Sequence, residues 1–351
     1  MVNLASGLVA SGKRVDFVLV RAEGEFMVDV PPGVRVIDLQ ARRAIAALPA
    51  LVRYLRTERP GVLLAALDHA NVIAVLAGLL SRASTCVVVS VHAPLSWVHG
   101  RDKSLFGKVF LRLIRWSYFR ASAVVSVSEG VRHDLIQFLG LEEHKVNTIY
   151  NPIIDARLTK MGTEVPKHHW FESRRVPVIL AVGRLSVEKD YPTLIRAFHL
   201  VRQQRIARLL ILGEGEEKIR LKSLVNELSL SQDVEFTGFV ANPFAFMKQA
   251  SCYVISSNFE GFGNVIVEAL AMGCCVVSTD CPAGPREILN GGEFGRMVPV
   301  GDVTAMAGAI LQTINDGCCL SSLSLLNSHL QQFEIESVTQ KYCDLFESIT
   351  R

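Results

Sequence analysis

The feature that most constrains this chain is an alternation, run through twice, of short apolar segments with longer amphipathic ones. In the first half the apolar runs are Arg14–Val20, Val34–Leu39, Gly61–Leu67, Cys86–His92, Ala123–Ser128 and Val146–Tyr150. Strands so nearly continuous in apolar residues belong to a sheet covered on both faces, and parallel sheets get that cover from their crossover helices. Helical patterns lie between them, as at Ala44–Glu58 and Gly130–Phe138. The second half repeats the scheme, with strands at Val176–Val182, Arg208–Leu212, Val234–Phe239, Cys252–Ser256, Cys274–Ser278 and Met297–Val300. Its helices fit Tyr191–Gln203, Lys218–Leu228, Pro243–Gln249 and Asn264–Met272. The chain is therefore expected to be α/β, as two similar parallel-sheet units and not one large sheet. Its 351 residues suit two domains.

The seam is expected between Asn151 and Pro177. Asn151-Pro152 is a turn-and-stop dipeptide, and 159–175 is polar without clear periodicity. This divides the chain into domains 1–165 and 166–332. A tail, 333–351, holds an amphipathic helix that crosses back onto the first domain.

Half of the residues are hydrophobic and a fifth are charged, a globular balance. The most apolar stretch, Gly61–Leu80, is broken by Asp68, His69 and Asn71, so no membrane span is expected. The start has neither a basic region nor a long apolar one, so no signal peptide is read there. None of the eight cysteines forms a C-x-x-C pair, which points to reduced, buried thiols, a cytoplasmic location and no structural zinc. Residues 1–165 carry 20 Lys/Arg against 14 Asp/Glu, and the remainder 17 against 20. That basic excess is too small to argue for a nucleic-acid partner.

The strongest chemical signal is SSNFEGFGNVIVEALAMG, residues 256–273. A strand ends, a glycine-rich turn follows, and a helix begins near Asn264. Such a turn aims backbone N–H groups and a helix dipole at its ligand, which suits a diphosphate. Gly261 and Gly263 allow close approach, with Phe262 between them. Glu268 lies one turn into the helix, where it suits ribose hydroxyls, and Glu260 stands before it, where it suits sugar hydroxyls. Spacing alone fits equally well an ordinary strand–turn–helix with surface carboxylates.

GRLSVEKD, residues 183–190, follows directly on another strand and supplies two cations, Arg184 and Lys189, for a departing diphosphate. Alone it reads first as a solvated basic loop. CPAGPREIL, 281–289, is a shaped loop after a strand, and GEG, 213–215, reads as a strand-to-helix turn. His92 ends a strand of the first half, where it is either structural or faces a transferred sugar. The run 101–120 has six basic residues and one acid among apolar ones. It is either a helix lying on an anionic membrane or an interior helix with snorkelling cations.

G-R-L-x-x-E-K-D, E-G-F-G-N-x-x-x-E-A-x-x-x-G and C-P-x-G-P-R-E-I-L, in this order and spacing, resemble family 4 of the retaining glycosyltransferases. The match is specific from about Val178 to Pro299 and looser in the first half, where VDFVLV, the strand ending in His92 and VNTIYNP are similar. The resemblance implies the GT-B fold, two Rossmann-like domains with parallel sheets facing a central cleft. It implies a nucleotide-sugar donor held by the second domain and a glycan or lipid-linked acceptor by the first. Arg184 and Lys189 match the family's diphosphate-binding pair. Glu260 and Glu268 match its donor-sugar and ribose carboxylates, Gly261–Asn264 its donor-sugar loop, and His92 its acceptor-domain histidine. It implies no metal or other cofactor. Retention is explained by front-face attack in which the leaving diphosphate takes the acceptor proton. The proline-rich variant of the third motif resembles bacterial enzymes of surface polysaccharide and lipid-linked oligosaccharide assembly, peripheral on the inner face of the membrane. One departure stands out: the family's opening strand and Gly-Gly loop have no counterpart before VNLASGLVASGKRV. This keeps open an impaired nucleotide-binding remnant, beside a GT-B phosphorylase or epimerase.

Overall fold

A computed structural model describes the chain except residues 101, 103, 173–175 and 319–321 and the side chains of residues 25 and 26. Arg101 and Lys103 of the basic run 101–120, the end of the polar stretch 159–175, and Cys319 thus lie outside the described residues. The chain divides into two compact units, Met1–Pro152 with Phe333–Arg351, and Ile153–Gln332.

The first unit runs α1 (Val2–Ala10), β1 (Val15–Leu19), β2 (Val34–Asp38), α2 (Leu48–Glu58), β3 (Val62–Ala66), α3 (Asp68–Ser81), β4 (Cys86–Val91), α4 (Leu95–Val98), α5 (Leu105–Arg120), β5 (Ala123–Ser126), α6 (Glu129–Leu139) and β6 (Val146–Thr148). Its strands form two parallel sheets, β1-β2 and β3-β4-β5-β6. The strands of this unit are thus split between two separate sheets. Every residue of β1 and β3 is partly exposed, whereas β5 is buried throughout. Helices still cover both faces. Val18 and Leu63 pack with Leu51 and Leu55 of α2 and Ile73 and Ala77 of α3. Leu4 of α1 joins Val88, Val125, Val338 and Tyr342 in a second cluster. Val338 and Tyr342 come from the terminal helix, Ile335–Thr350. Gly7 lets α1 lie close against it, since a Cβ there would meet Thr339 Oγ1 at 2.0 Å.

The second unit runs α7 (Ala156–Met161), β7 (Val178–Val182), α8 (Tyr191–Gln204), β8 (Arg208–Leu212), α9 (Lys218–Glu227), β9 (Val234–Gly238), α10 (Phe244–Gln249), β10 (Cys252–Ile255), α11 (Asn264–Ala271), β11 (Val276–Thr279), α12 (Pro285–Ile288), β12 (Arg296–Val298), α13 (Val303–Asp316) and α14 (Leu323–Leu330). The unit begins ahead of the 165/166 boundary drawn from composition, because α7 is tied to it: Asn242 Nδ2, just before α10, donates to the Met161 carbonyl at 2.9 Å. Six parallel strands lie in the order β12-β11-β10-β7-β8-β9. The core runs through Ile179, Leu194, Phe198, Leu209, Ile211, Val254, Val277, Met306 and Ile310. Caps set helix ends where polar side chains reach back. Asp302 accepts from Ala305 N–H at 2.9 Å to open α13, and Ser128 accepts from Val131 N–H at 3.1 Å to open α6.

The expectation of wholly reduced thiols is corrected. Cys275, just before β11, is disulfide-bonded to Cys318, just beyond α13, with Cα atoms 4.7 Å apart. Packing of α13 across the sheet brings the two together, a proximity that spacing in the chain does not reveal. Cys86, Cys252, Cys274, Cys281 and Cys343 are free. A bridge across 43 positions restricts the unfolded chain by about 4 kcal/mol in the loop-entropy account. Cys275→Ser is accordingly expected to lower stability by about 2–4 kcal/mol in denaturant melts without reductant. Dithiothreitol should destabilise the parent chain and leave the variant unchanged; equal melts of parent and variant would contradict the bridge.

Candidate functional site

The order of the second sheet decides where a ligand can sit. From β7 the chain proceeds outward to β8 and β9, then crosses back so that β10 pairs with the other side of β7. The loops after β7 and β10 leave the sheet in opposite directions, and the crevice between them is the switch point at which open parallel sheets bind ligands. GRLSVEKD follows β7 and NFEGFG follows β10, so the two strongest sequence signals meet there.

Lys189 and Glu260 are in direct contact, Nζ to Oε1 2.6 Å, with side chains 22% and 10% exposed. Ser257 Oγ donates to the same Oε1 at 2.6 Å, and Ser256 Oγ donates to the Lys189 carbonyl at 2.7 Å. The Asn258 amide donates to the Glu188 carbonyl at 2.8 Å. The two loops are thus stitched together by backbone and hydroxyl groups beneath the ion pair. Sequence reasoning missed both serines, because a serine at a strand end carries no pattern of its own. Arg184 is 68% exposed and bonded to Glu188, 2.6 Å away, a carboxylate that sequence reasoning also left aside. The hydrogen bond to Glu188 holds the Arg184 pKa above its ordinary value.

Two glycines shape the Arg184 loop. A Cβ on Gly213 would lie 2.0 Å from the Gly183 carbonyl oxygen, and one on Gly215 would lie 2.2 Å from that of Leu185. The GEG turn is therefore the backing of this loop, and Leu185 N–H donates to the Glu214 carbonyl at 2.8 Å. On the other side, a Cβ on Gly284 would lie 1.8 Å from the Phe262 carbonyl oxygen, so the 281–289 loop closes onto the 260–263 turn. In that loop Glu287 lies inside α12, and its carboxylate accepts from Gly284 N–H at 3.5 Å.

Gly263, at φ 98°, turns the chain into α11, whose first residue is Asn264. Phe262 is buried at 3% exposure and anchors the turn. Gly261 lies in the same turn, partly buried. Glu268 sits one turn into α11, and burial pushes its pKa up to about 7. At neutral pH it is poised between acid and carboxylate, and hydroxyl donors from a ligand would favour the carboxylate.

His92 belongs to the first unit. It follows β4, and its Nε2 is 3.1 Å from Ser90 Oγ. Burial, assisted by the N-terminal ammonium and opposed by Asp68, pushes its pKa down to about 4, so the ring is neutral at physiological pH. Among the described residues one group has metal-ligand character, His168, His169 and Glu235, with ligand atoms within 4.8 Å of one another. His168 Nδ1, however, accepts from Trp170 N–H at 3.2 Å, which leaves the ring proton on Nε2. A metal on Nε2 would need that proton moved to Nδ1, against the amide, so the donor set does not fit a cation.

The raised pKa of Glu268 has a signed consequence for stability. Its ordinary value is 4.5, so in the folded state it keeps a proton that the unfolded chain releases between about pH 4.5 and 7. Stability falls across that window and is level above it. Glu268→Gln has no proton to lose. Its advantage over the parent in thermal melts should grow from pH 4.5 to 7.5, to on the order of 1–3 kcal/mol; a difference independent of pH would exclude the buried-acid account.

Comparison with known proteins agrees with this geometry. Residues 1–157 match the family model described as Glycosyltransferase Family 4, and residues 176–316 the model described as Glycosyl transferases group 1. The chain is 32% identical over 251 residues to a Campylobacter jejuni N-acetylgalactosamine-N,N'-diacetylbacillosaminyl-diphospho-undecaprenol 4-alpha-N-acetylgalactosaminyltransferase, covering 71% of this chain and 66% of that one. It is 35% identical over 174 residues to the Rhizobium meliloti lipopolysaccharide core biosynthesis glycosyltransferase LpsE, covering 49% and 50%. The chain thus spans slightly under two thirds of the first of these relatives and half of the second. Among solved structures, Anabaena HepE in complex with UDP-glucose superposes with a TM-score of 0.81 at 23% identity, over 99% of this chain and 96% of that one. Sucrose-phosphate synthase of Thermosynechococcus elongatus gives 0.80 at 20%, over 98% and 91%. Motif order, strand order and both family models agree, and the chain belongs to glycosyltransferase family 4, with the GT-B fold.

Proposed function

We propose that the chain is a retaining glycosyltransferase that moves a hexose or N-acetylhexosamine from a UDP-sugar to a glycan or lipid-linked acceptor in surface polysaccharide assembly. The observation that carries the reading is the Lys189–Glu260 contact at the β7/β10 switch point, beside the amino end of α11. Lys189 and Arg184 would neutralise the donor diphosphate and the charge that grows on it as the glycosidic bond breaks. The N–H groups of Gly261–Asn264 would bind the sugar and phosphate side, Glu260 a sugar hydroxyl and Glu268 the ribose. In front-face attack the leaving diphosphate removes the acceptor proton, so no separate base is required on the second unit. His92 of the first unit, neutral, would offer a hydrogen bond to a sugar hydroxyl. The names of the relatives, one acting on a diphospho-undecaprenol-linked sugar and one on lipopolysaccharide core, support the acceptor class. The UDP-glucose complex of HepE supports the donor class.

Placement at a membrane is part of the same proposal. Helix α5 buries Gly107, Ile114, Ser117 and Tyr118 and turns Val109, Leu113, Trp116 and Phe119 outward, among Lys108, Arg112, Arg115 and Arg120. Apolar residues ringed by cations on one exposed face suit an anionic leaflet. No helix among the described residues is long and apolar enough to cross a membrane.

In a screen of UDP- and GDP-sugars read by nucleotide release, the parent is expected to turn over a UDP-sugar. Lys189→Ala and Glu260→Ala should each lose about 100-fold or more, as loss of a group that stabilises transition-state charge does. Failure of the parent to bind any nucleotide-sugar would end the reading. In vesicle flotation, binding should require phosphatidylglycerol, weaken with salt, and drop at least tenfold in a Leu113→Ser/Trp116→Ser double variant; equal binding to neutral vesicles would remove the membrane arm.

A further inference from the structure

A second polar constellation lies at the carboxyl end of β3 and β4, in the first unit. The turn from β3 into α3 passes through Leu67 at φ 81°, ψ 136°, a conformation that L-residues rarely adopt, with its side chain 61% exposed. Such a backbone is kept only where its surroundings hold it, and it delivers the next residue, Asp68, at a fixed angle. The Asp68 carboxylate accepts from His99 Nε2 at 2.7 Å and from Tyr118 O–H at 3.2 Å. Asn71 Nδ2 donates to the Tyr118 oxygen at 3.0 Å and to the Ser90 carbonyl at 3.0 Å. Ser90 Oγ in turn contacts His92. Hydrogen bonds therefore tie the Asp68–His99 pair through Tyr118 and Asn71 to the Ser90 backbone, and the Ser90 side chain separately contacts His92. Tyr118 and Asn71 are fully buried, and they lock the pair from behind.

The pair itself is reachable, with side chains 23% and 17% exposed for Asp68 and His99. A carboxylate can only accept, so in the neutral ring the proton sits on Nε2 and Nδ1 is an acceptor for a hydroxyl hydrogen. Exposed apolar side chains lie nearby, beside the Asp102 carboxylate, which is close enough to feel a charge on His99. Val98 is 43% exposed and Phe106 79%; Phe106 stacks on Phe110, whose ring meets that of His99 edge-on at 5.6 Å. An oriented hydroxyl acceptor bordered by exposed apolar side chains suits a ligand that is a sugar at one end and greasy at the other.

We propose that Asp68 and His99 bind a hydroxyl of an acceptor glycoside whose aglycone is apolar and lies against Leu67, Val98 and Phe106. This rests on the glycosyltransferase reading and narrows it, from glycan or lipid-linked acceptor to an amphiphilic glycoside with an uncharged hydroxyl presented to His99. The Asp68 carboxylate disfavours an anionic group at that point.

The probe is n-octyl β-D-glucopyranoside below its micellar concentration, with methyl β-D-glucopyranoside as the aglycone control. Binding is followed by calorimetry and by the imidazole signals of His99 in NMR spectra. The parent is expected to bind the octyl glycoside at least tenfold more tightly than the methyl one, with movement of the His99 signals and not those of the exposed His144. His99→Ala, Asp68→Ala and Phe106→Ser should each weaken octyl glycoside binding tenfold or more while UDP binding stays unchanged, which also reports that the variants are folded. Absence of octyl glycoside binding by the parent, unmoved His99 signals, or binding by the alanine variants within twofold of the parent would overturn the proposal. Loss of UDP binding by the parent would instead overturn the donor reading, which the glycoside measurement does not touch.

Discussion

The pairing of β10 with β7, Cys252 beside Ile179 and Tyr253 beside Leu180, brings together loops that lie 71 positions apart at Lys189 and Glu260. A parallel sheet cannot reverse at a hairpin, so each return needs a helical crossover, and the direction of the crossovers decides which strand ends become neighbours. Had β10 added beyond β9, the basic loop and the acidic turn would stand at different places along the sheet. Everything else in the second unit serves this adjacency. The apolar interiors of α8 and α13 cover the strands, Gly213 and Gly215 let one loop sit down on another, and Gly284 does the same for the third motif.

The electrostatics of the site follow from that packing. Lys189 and Glu260 neutralise each other at low exposure, so neither is left as a buried lone charge. A diphosphate entering beside them would compete with Glu260 for the ammonium and free the carboxylate for hydroxyl groups. Glu268 shows the opposite situation: burial raises its pKa. The first unit has its own polar centre, built from Asp68, His99, Tyr118, Asn71, Ser90 and His92 around the ends of β3 and β4. There burial keeps His92 neutral, a state suited to hydrogen bonding and not to ion pairing.

Helix α5 illustrates how a pattern can be legible while its direction is not. Its apolar and basic residues fit an interior helix with snorkelling cations as well as a surface one. Burial separates the two, because Gly107, Ser117, Ile114 and Tyr118 face inward and Leu113, Trp116 and Phe119 face out.

The amino-acid sequence by itself determined the twelve strands of the described residues, the parallel α/β class, the two-unit organisation, the loops after β7 and β10 that carry Arg184, Lys189 and Glu260, and the helix that carries Glu268. These are legible because apolar periodicity and glycine turns are local, and local preference agrees with the fold at each of them. Only the tertiary structure decided the Cys275–Cys318 bridge, the split of the first unit's strands into two sheets, the Ser256 hydroxyl on the Lys189 carbonyl and the Asp68–His99 pair with its buried backing. Each of these joins residues distant in the chain through strand order or helix packing, and no pattern of neighbours in sequence encodes which strand ends will meet.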